Sequence, residues 1–140
     1  MSAVLRAEKL SVTLAETGAA LTPEISFTLG AGGALALVGI SGSGKTMCVN
    51  AILGLLNKRV FRVSGRASFA DRSLFGLSER EMRALRGGRL ALIPQNPMTA
   101  FDPSARLGSQ LAETVRAHRD VSRRAARELS LGGLRALGLP

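Results

Sequence analysis

Eight consecutive residues, Gly39-Ile40-Ser41-Gly42-Ser43-Gly44-Lys45-Thr46, carry the residue types that hold a phosphate group, at the spacing G-x-x-x-x-G-K-[ST]. Gly39, Gly42 and Gly44 permit backbone dihedrals closed to other residues and let the main chain approach an anion closely. Successive amide N–H groups and the positive end of a following helix then converge on phosphate oxygens. In such a loop Lys45 reaches the β- and γ-phosphates, and the Thr46 hydroxyl coordinates Mg²⁺. The competing explanation is a glycine-rich turn that matches by chance. The flanks argue against it: Leu35–Val38 is a short apolar run that reads as a buried strand, and Met47–Leu56 is helix-compatible. Strand, loop and helix in that order are the context the motif requires. The sequence is built to hold a nucleoside triphosphate.

Other elements must position that loop. Val4–Leu14 alternates loosely and reads as an edge strand, and Glu16-Thr17-Gly18 is a turn signal. Leu21–Leu29 is a second strand pattern with Ile25, Phe27 and Leu29 on one face, followed by the turn Gly30-Ala31-Gly32-Gly33. Two antiparallel strands ahead of a buried strand and the loop predict a mixed topology, not a plain βαβ start. After the loop, Val49, Ile52, Leu53, Leu55 and Leu56 line a helix that has to accept Gly54 at some cost. Phe61–Phe69 is short and alternating, with Gly65 as a bulge or turn. Ser78-Glu79-Arg80-Glu81 fits a capping box, with the helix running to about Arg86 and stopping at Gly87-Gly88. Leu90–Ile93 is a second apolar run and a candidate central strand, ending abruptly in Pro94-Gln95-Asn96-Pro97. From Leu107 the positions Leu107, Leu111 and Val115 have helical spacing, and Ser122 caps a last helix carrying Ala125, Ala126 and Leu129.

Composition excludes several classes. At 140 residues the chain is at most one domain, and no apolar run approaches the ~20 residues that span a bilayer. Residues 1–8 lack a charged-then-apolar signal pattern, so the expectation is a soluble cytoplasmic domain. Cys48 is the only cysteine, which excludes a disulfide framework and a cysteine metal cluster and fits a small buried residue. A net charge of +9 invites a nucleic-acid partner. Against that, sixteen of the nineteen basic residues are Arg scattered among acids, and no Trp or Tyr is available to stack a base. No nucleic-acid partner is expected.

The phosphate loop precedes Ile93-Pro94-Gln95-Asn96-Pro97-Met98-Thr99-Ala100-Phe101-Asp102-Pro103 by about fifty residues. That pairing resembles the ATP-binding subunit of ABC transporters, in the importer subgroup for di- and oligopeptides or nickel. The resemblance covers the whole chain. It implies an α/β fold, the N-terminal portion of a P-loop NTPase with an antiparallel β edge, as a core over 1–103 and the start of a helical subdomain over 104–140. It implies ATP and Mg²⁺ as ligands of Gly39–Thr46, with Thr46 and Gln95 at the metal. Gln95 would be the Q-loop glutamine, contacting Mg²⁺ or the attacking water, while its loop couples ATP binding to transmembrane permease subunits. The family also implies a second ATP-binding subunit, a peripheral place on the cytoplasmic membrane face, and ATP hydrolysis coupled to transport.

Departures from the pattern limit what these 140 residues can do. The L-S-G-G-Q signature, the apolar strand ending in Asp-Glu and the switch histidine are not among them. Leu129-Ser130-Leu131-Gly132-Gly133 has an extra Leu after Ser and Leu134 where Gln is expected, and it falls within a helix. His118 lies too early to be the switch residue and fits a surface or core-rim position. Where the family often stacks an aromatic residue on adenine, only Val12, Leu14 and neighbours are available. The cysteine cluster of some peptide importers is missing. The expectation is a chain that binds Mg-ATP weakly and, alone, turns none over, with Leu35–Val38 and Leu90–Ile93 partly uncovered. Two alternatives remain: a non-hydrolysing subunit that docks through Gln95–Pro103, and a P-loop kinase for a small acceptor.

Overall fold

The computed structural model describes residues 3–96 and 100–139. It divides into two compact units, Met1–Arg83 and Ala84–Pro140. The first is built on a four-stranded antiparallel sheet in the order β2-β1-β3-β4, from β1 Ala3–Leu14, β2 Ile25–Gly30, β3 Phe61–Phe69 and β4 Arg72–Ser73. β1 is therefore not the edge strand that its loose alternation suggests. It pairs with β2 on one side (Ala7 opposite Phe27) and with β3 on the other (Val12 opposite Val63, Ala7 opposite Ala67). Ala7, Leu10 and Val12 are buried in it, and both neighbours cover its backbone.

The alternation is loose for a physical reason. Ala7 and Val12 are an odd number of residues apart, yet both are buried. An uninterrupted strand would put them on opposite faces. The ladder slips between Glu8 and Ser11, where Lys9 has φ +49, and the extra residue re-phases the side chains. Gly65 lies across this bulge with φ +89, and a Cβ there would overlap the Lys9 and Glu8 carbonyl oxygens. The bulge expected at Gly65 is thus shared with β1.

Helix α1, Lys45–Ile52, packs on β1 and buries Cys48, Ala51 and Ile52. It is shorter than the expected Met47–Leu56 run. Gly54 is not an interior residue tolerated at a cost; with φ +63 it ends the helix. Its N–H donates to Ala51 O (3.1 Å) and the Leu55 N–H to Asn50 O (2.9 Å), the two bonds of a Schellman terminus. The predicted capping box is present at α2, Glu79–Leu85. The Glu81 amide donates to Ser78 Oγ at 3.3 Å, and Glu81 Oε2 accepts from the Ser78 amide (2.9 Å) and hydroxyl (2.7 Å). The Ser78 hydroxyl and amide, with the Arg72 guanidinium beside them, hold the Glu81 carboxyl below its ordinary pKa. Gly87, φ +78, follows as the stop.

In the second unit α3, Leu107–His118, packs against α4, Arg123–Ala136, burying Ala112 and Ala126. Ser122 caps α4 through a 3.2 Å bond from the Ala125 amide. Gln110 ties the preceding turn to α3: its Oε1 accepts from the Asp102 amide (2.9 Å), and its Nε2 donates to Asp102 O and Ala105 O (3.0 Å each). α4 runs unbroken through Leu129–Gly133. His118 ends α3, where a Cβ added at Gly87 would overlap its imidazole.

Neither Leu35–Val38 nor Leu90–Ile93 is a strand. Neither has a ladder partner beyond a single Arg86–Leu90 bridge, and apart from the half-buried Leu90 both are exposed: Val38 is 93% and Ile93 92% accessible. Apolar composition only nominates a buried strand; burial requires hydrogen-bonded neighbours and covered faces. Among the described residues neither run has a ladder partner. Without partner strands among the described residues, the hydrophobic run is irregular and open to solvent.

Candidate functional site

The loop Gly39–Thr46 is shaped mainly by its glycines and by the helix it leads into. Gly42 and Gly44 take φ +80 and +84, the left-handed region that an L side chain adopts only at a cost. Gly44 is the N-cap of α1, and the helix begins at the next residue, with the Cys48 amide donating to Gly44 O at 2.9 Å. No side chain caps this helix start, and its first turn holds no acidic residue. The leading amides, which have no carbonyl within the helix to bond to, therefore face the loop with the helix's positive end. Gly39 closes the other side, where a Cβ would lie 2.8 Å from Ser43 Oγ. At Gly44 the cradle has room for backbone and none for an added side chain, whereas at Gly42 an added Cβ would meet nothing within 4 Å.

Lys45 sits inside the cradle. Its ammonium donates to Gly39 O at 2.8 Å and Ile40 O at 2.7 Å, with Ser43 Oγ at 3.4 Å. A cation thus lies in a loop whose amides also present positive charge, held by neutral carbonyls and paired with no carboxylate among the described residues. That arrangement attracts an anion and does not neutralise itself beforehand. Thr46 is exposed, and its hydroxyl has no protein partner among the described residues. A hydroxyl oxygen is a ligand type suited to Mg²⁺, so the donor set fits a magnesium–phosphate group. Beside the loop is a cleft of about 280 Å³ lined by Pro23, Ile25, Val38 and Ile40 on its apolar side and by Ser43 and Lys45 on its polar one.

Gln95 belongs to the second unit, in the irregular segment after Ile93. It is exposed, and its amide has no partner among the described residues. Pro97, Met98 and Thr99, the middle of the predicted Q-loop, lie outside the described residues. The larger concavity between α3 and α4, about 620 Å³ and lined by Arg106, Arg123, Arg124 and Arg127, holds none of the predicted site residues. Val12 is fully buried in the sheet and cannot face an adenine ring, which leaves the half-buried Leu14 of the two candidates. Cys48 is buried, as expected. No cluster of metal-binding side chains occurs among the described residues. Thr22 escaped sequence reading. It is a buried polar side chain against the back of Gly44, and its one signal is a threonine interrupting the apolar positions before Pro23.

Comparison with known proteins bears on the same residues. Residues 22–138 match the family model for the ABC transporter domain. The dipeptide transport ATP-binding protein DppD of Bacillus subtilis (strain 168) is 37% identical over 143 residues, covering 100% of this chain and 43% of that protein. The oligopeptide transport ATP-binding protein OppD of Salmonella typhimurium is 38% identical over 139 residues, covering 98% and 41%. The metal-staphylopine import system ATP-binding protein CntD of Staphylococcus aureus (strain NCTC 8325) is 35% identical over 119 residues, covering 85% and 44%. The chain spans less than half the length of these curated relatives.

Proposed function

We propose, from the premise that the chain belongs to the ABC transporter family, that it supplies the triphosphate-binding part of an ATP-binding importer subunit. The transported class would be di- or oligopeptides or nickel; the relatives are named for dipeptide, oligopeptide and metal-staphylopine transport. The amides of Gly39–Thr46 would hold the phosphate oxygens. Lys45 would exchange its carbonyl partners for the β- and γ-phosphates, gaining charge-assisted bonds in place of neutral ones. Thr46 would give its hydroxyl to Mg²⁺, and Gln95 would complete the magnesium or water contact with a neutral amide that can both donate and accept. Bound Mg²⁺ supplies charge neutralisation at the phosphates. The segment around Gln95 would pass the state of the site to transmembrane permease subunits, at the cytoplasmic membrane face and beside a second ATP-binding subunit. No helix among the described residues is long and apolar enough to cross a membrane.

One observation carries this reading: a lysine ammonium held at the centre of a glycine cradle over an uncapped helix start. The 140-residue polypeptide alone is expected to bind Mg-ATP without turning it over, because neither a signature segment nor an Asp-Glu strand is in its sequence. Titration of the chain with a fluorescent Mg-ATP analogue tests the site. Lys45→Ala should weaken binding about tenfold or more, the effect of losing a hydrogen bond to a charged group. Equal affinity in the two proteins would remove the site from this loop. Phosphate release above background that Lys45→Ala abolishes would overturn the inactivity of the chain alone.

A further inference from the structure

We propose that Thr22 is a positioning residue for the phosphate loop, locking Gly44 to the sheet from behind; the inference rests on reading that loop as the nucleotide site. Thr22 is 6% exposed. Its Oγ1 accepts from the Val12 amide at 2.9 Å, and Val12 is completely buried in β1. The Val12 carbonyl in turn accepts from the Leu21 amide (2.9 Å) and the Thr22 amide (3.3 Å). Three hydrogen bonds thus tie the Leu21–Thr22 corner to a single residue of the central strand. The side-chain bond also satisfies an amide that would otherwise be buried without a partner.

The other side of the corner presses on the loop. A Cβ at Gly44 would lie 2.5 Å from Thr22 Cγ2, 2.9 Å from Leu21 O and 3.2 Å from Thr22 Cβ. Gly44 turns the chain from loop into helix, so its position sets the direction of the first α1 amides and the root of Lys45. The two ends of Thr22 do different things: the hydroxyl fixes the corner to β1, and the methyl backs Gly44. Sheet geometry reaches the phosphate cradle through one small side chain.

This division gives separable variants. Thr22→Val keeps the shape against Gly44 and loses the acceptor for the Val12 amide; it should lower stability while leaving the loop backed. Thr22→Ser keeps the acceptor and loses the methyl. It should raise hydrogen exchange of the Cys48 amide, the first α1 amide bonded to Gly44, by about tenfold, while β1–β3 ladder amides change less than about twofold. Affinity for a fluorescent Mg-ATP analogue should fall about three- to tenfold in the same protein, because the cradle is no longer pre-organised. A residue that merely fills the core would move all protected amides together. Unchanged Cys48 exchange in Thr22→Ser, or a uniform rise across the sheet, overturns the positioning role. If the unsubstituted chain takes up no analogue, the nucleotide reading fails, and the Cys48 exchange still decides whether Thr22 holds the loop.

Discussion

Replacing Gly44 by alanine should cost far more than replacing Gly42, although the two have almost the same φ. Gly42 has φ +80 with nothing within 4 Å of an added Cβ, so Gly42→Ala pays the left-handed conformation alone, about 1–2 kcal/mol. Gly44 has φ +84, and its added Cβ would meet Thr22 Cγ2 at 2.5 Å and Leu21 O at 2.9 Å, where carbon contacts normally settle near 3.5–4.0 Å. The Leu21 carbonyl cannot retreat freely, because the Leu21 amide is bonded to Val12 O at 2.9 Å. Overpacking of this kind adds about 1–3 kcal/mol. Gly44→Ala should therefore lose about 2–5 kcal/mol, a large part of a domain's ordinary 5–15 kcal/mol. The lower unfolded-state entropy of alanine is shared by both variants and cancels in the comparison. Urea unfolding followed by far-ultraviolet circular dichroism is the suitable assay, since the chain has no Trp or Tyr for intrinsic fluorescence. Equal losses at the two positions would refute the contact between the Leu21–Thr22 corner and the loop.

Other consequences follow from the caps and the exposed runs. Ser78→Ala should remove the α2 cap and cost about 1 kcal/mol, read as a lower urea midpoint with an unchanged slope. Because the native Glu81 pKa lies below its unfolded value, that carboxylate contributes stability above the ordinary value of 4.5, and the contribution is lost as pH falls through the lower native pKa. Glu81→Gln should therefore flatten the acid limb of a urea-midpoint titration; an unaltered limb would refute the assignment. Val38→Lys with Ile93→Lys should change stability by less than about 0.5 kcal/mol, since both residues are more than nine-tenths exposed, and should reduce light scattering of concentrated solutions. A loss above about 1 kcal/mol would mean that these side chains are buried in solution.

The features legible in the sequence are those decided by a few neighbouring residues. Ser78 and Glu81 announce their capping box, Ser122 its cap, and Gly39–Thr46 its cradle, because each rests on bonds or dihedrals within a handful of positions. At Gly54 a Schellman terminus and a tolerated interior glycine look alike in sequence until the following amides choose their acceptors. β1 has the loose alternation of an edge strand because a bulge at Lys9 breaks its period, and only its partner Gly65 explains the break. Leu35–Val38 and Leu90–Ile93 have the composition of buried strands. Strand formation is not a property of a run but of a run with neighbours, and those two lack them.

The loss of the expected strand before the phosphate loop has a consequence for how the site is held. A Leu35–Val38 without a ladder partner cannot fix the entrance of the loop, yet the Gly39–Thr46 backbone still encloses Lys45 through two carbonyls. The anchoring must come from the exit. There α1 begins at Lys45, its buried Cys48, Ala51 and Ile52 pack it on β1, and the Leu21–Thr22 corner backs Gly44 from the same strand. Pairing Leu35–Val38 into a sheet would therefore add constraint at the entrance, without having to create the cradle. Affinity for a triphosphate should rise on such pairing by pre-organisation of Gly39 and Ile40, whose carbonyls Lys45 now holds. Constraint at Gly44 should respond to Thr22 whether or not that strand is paired.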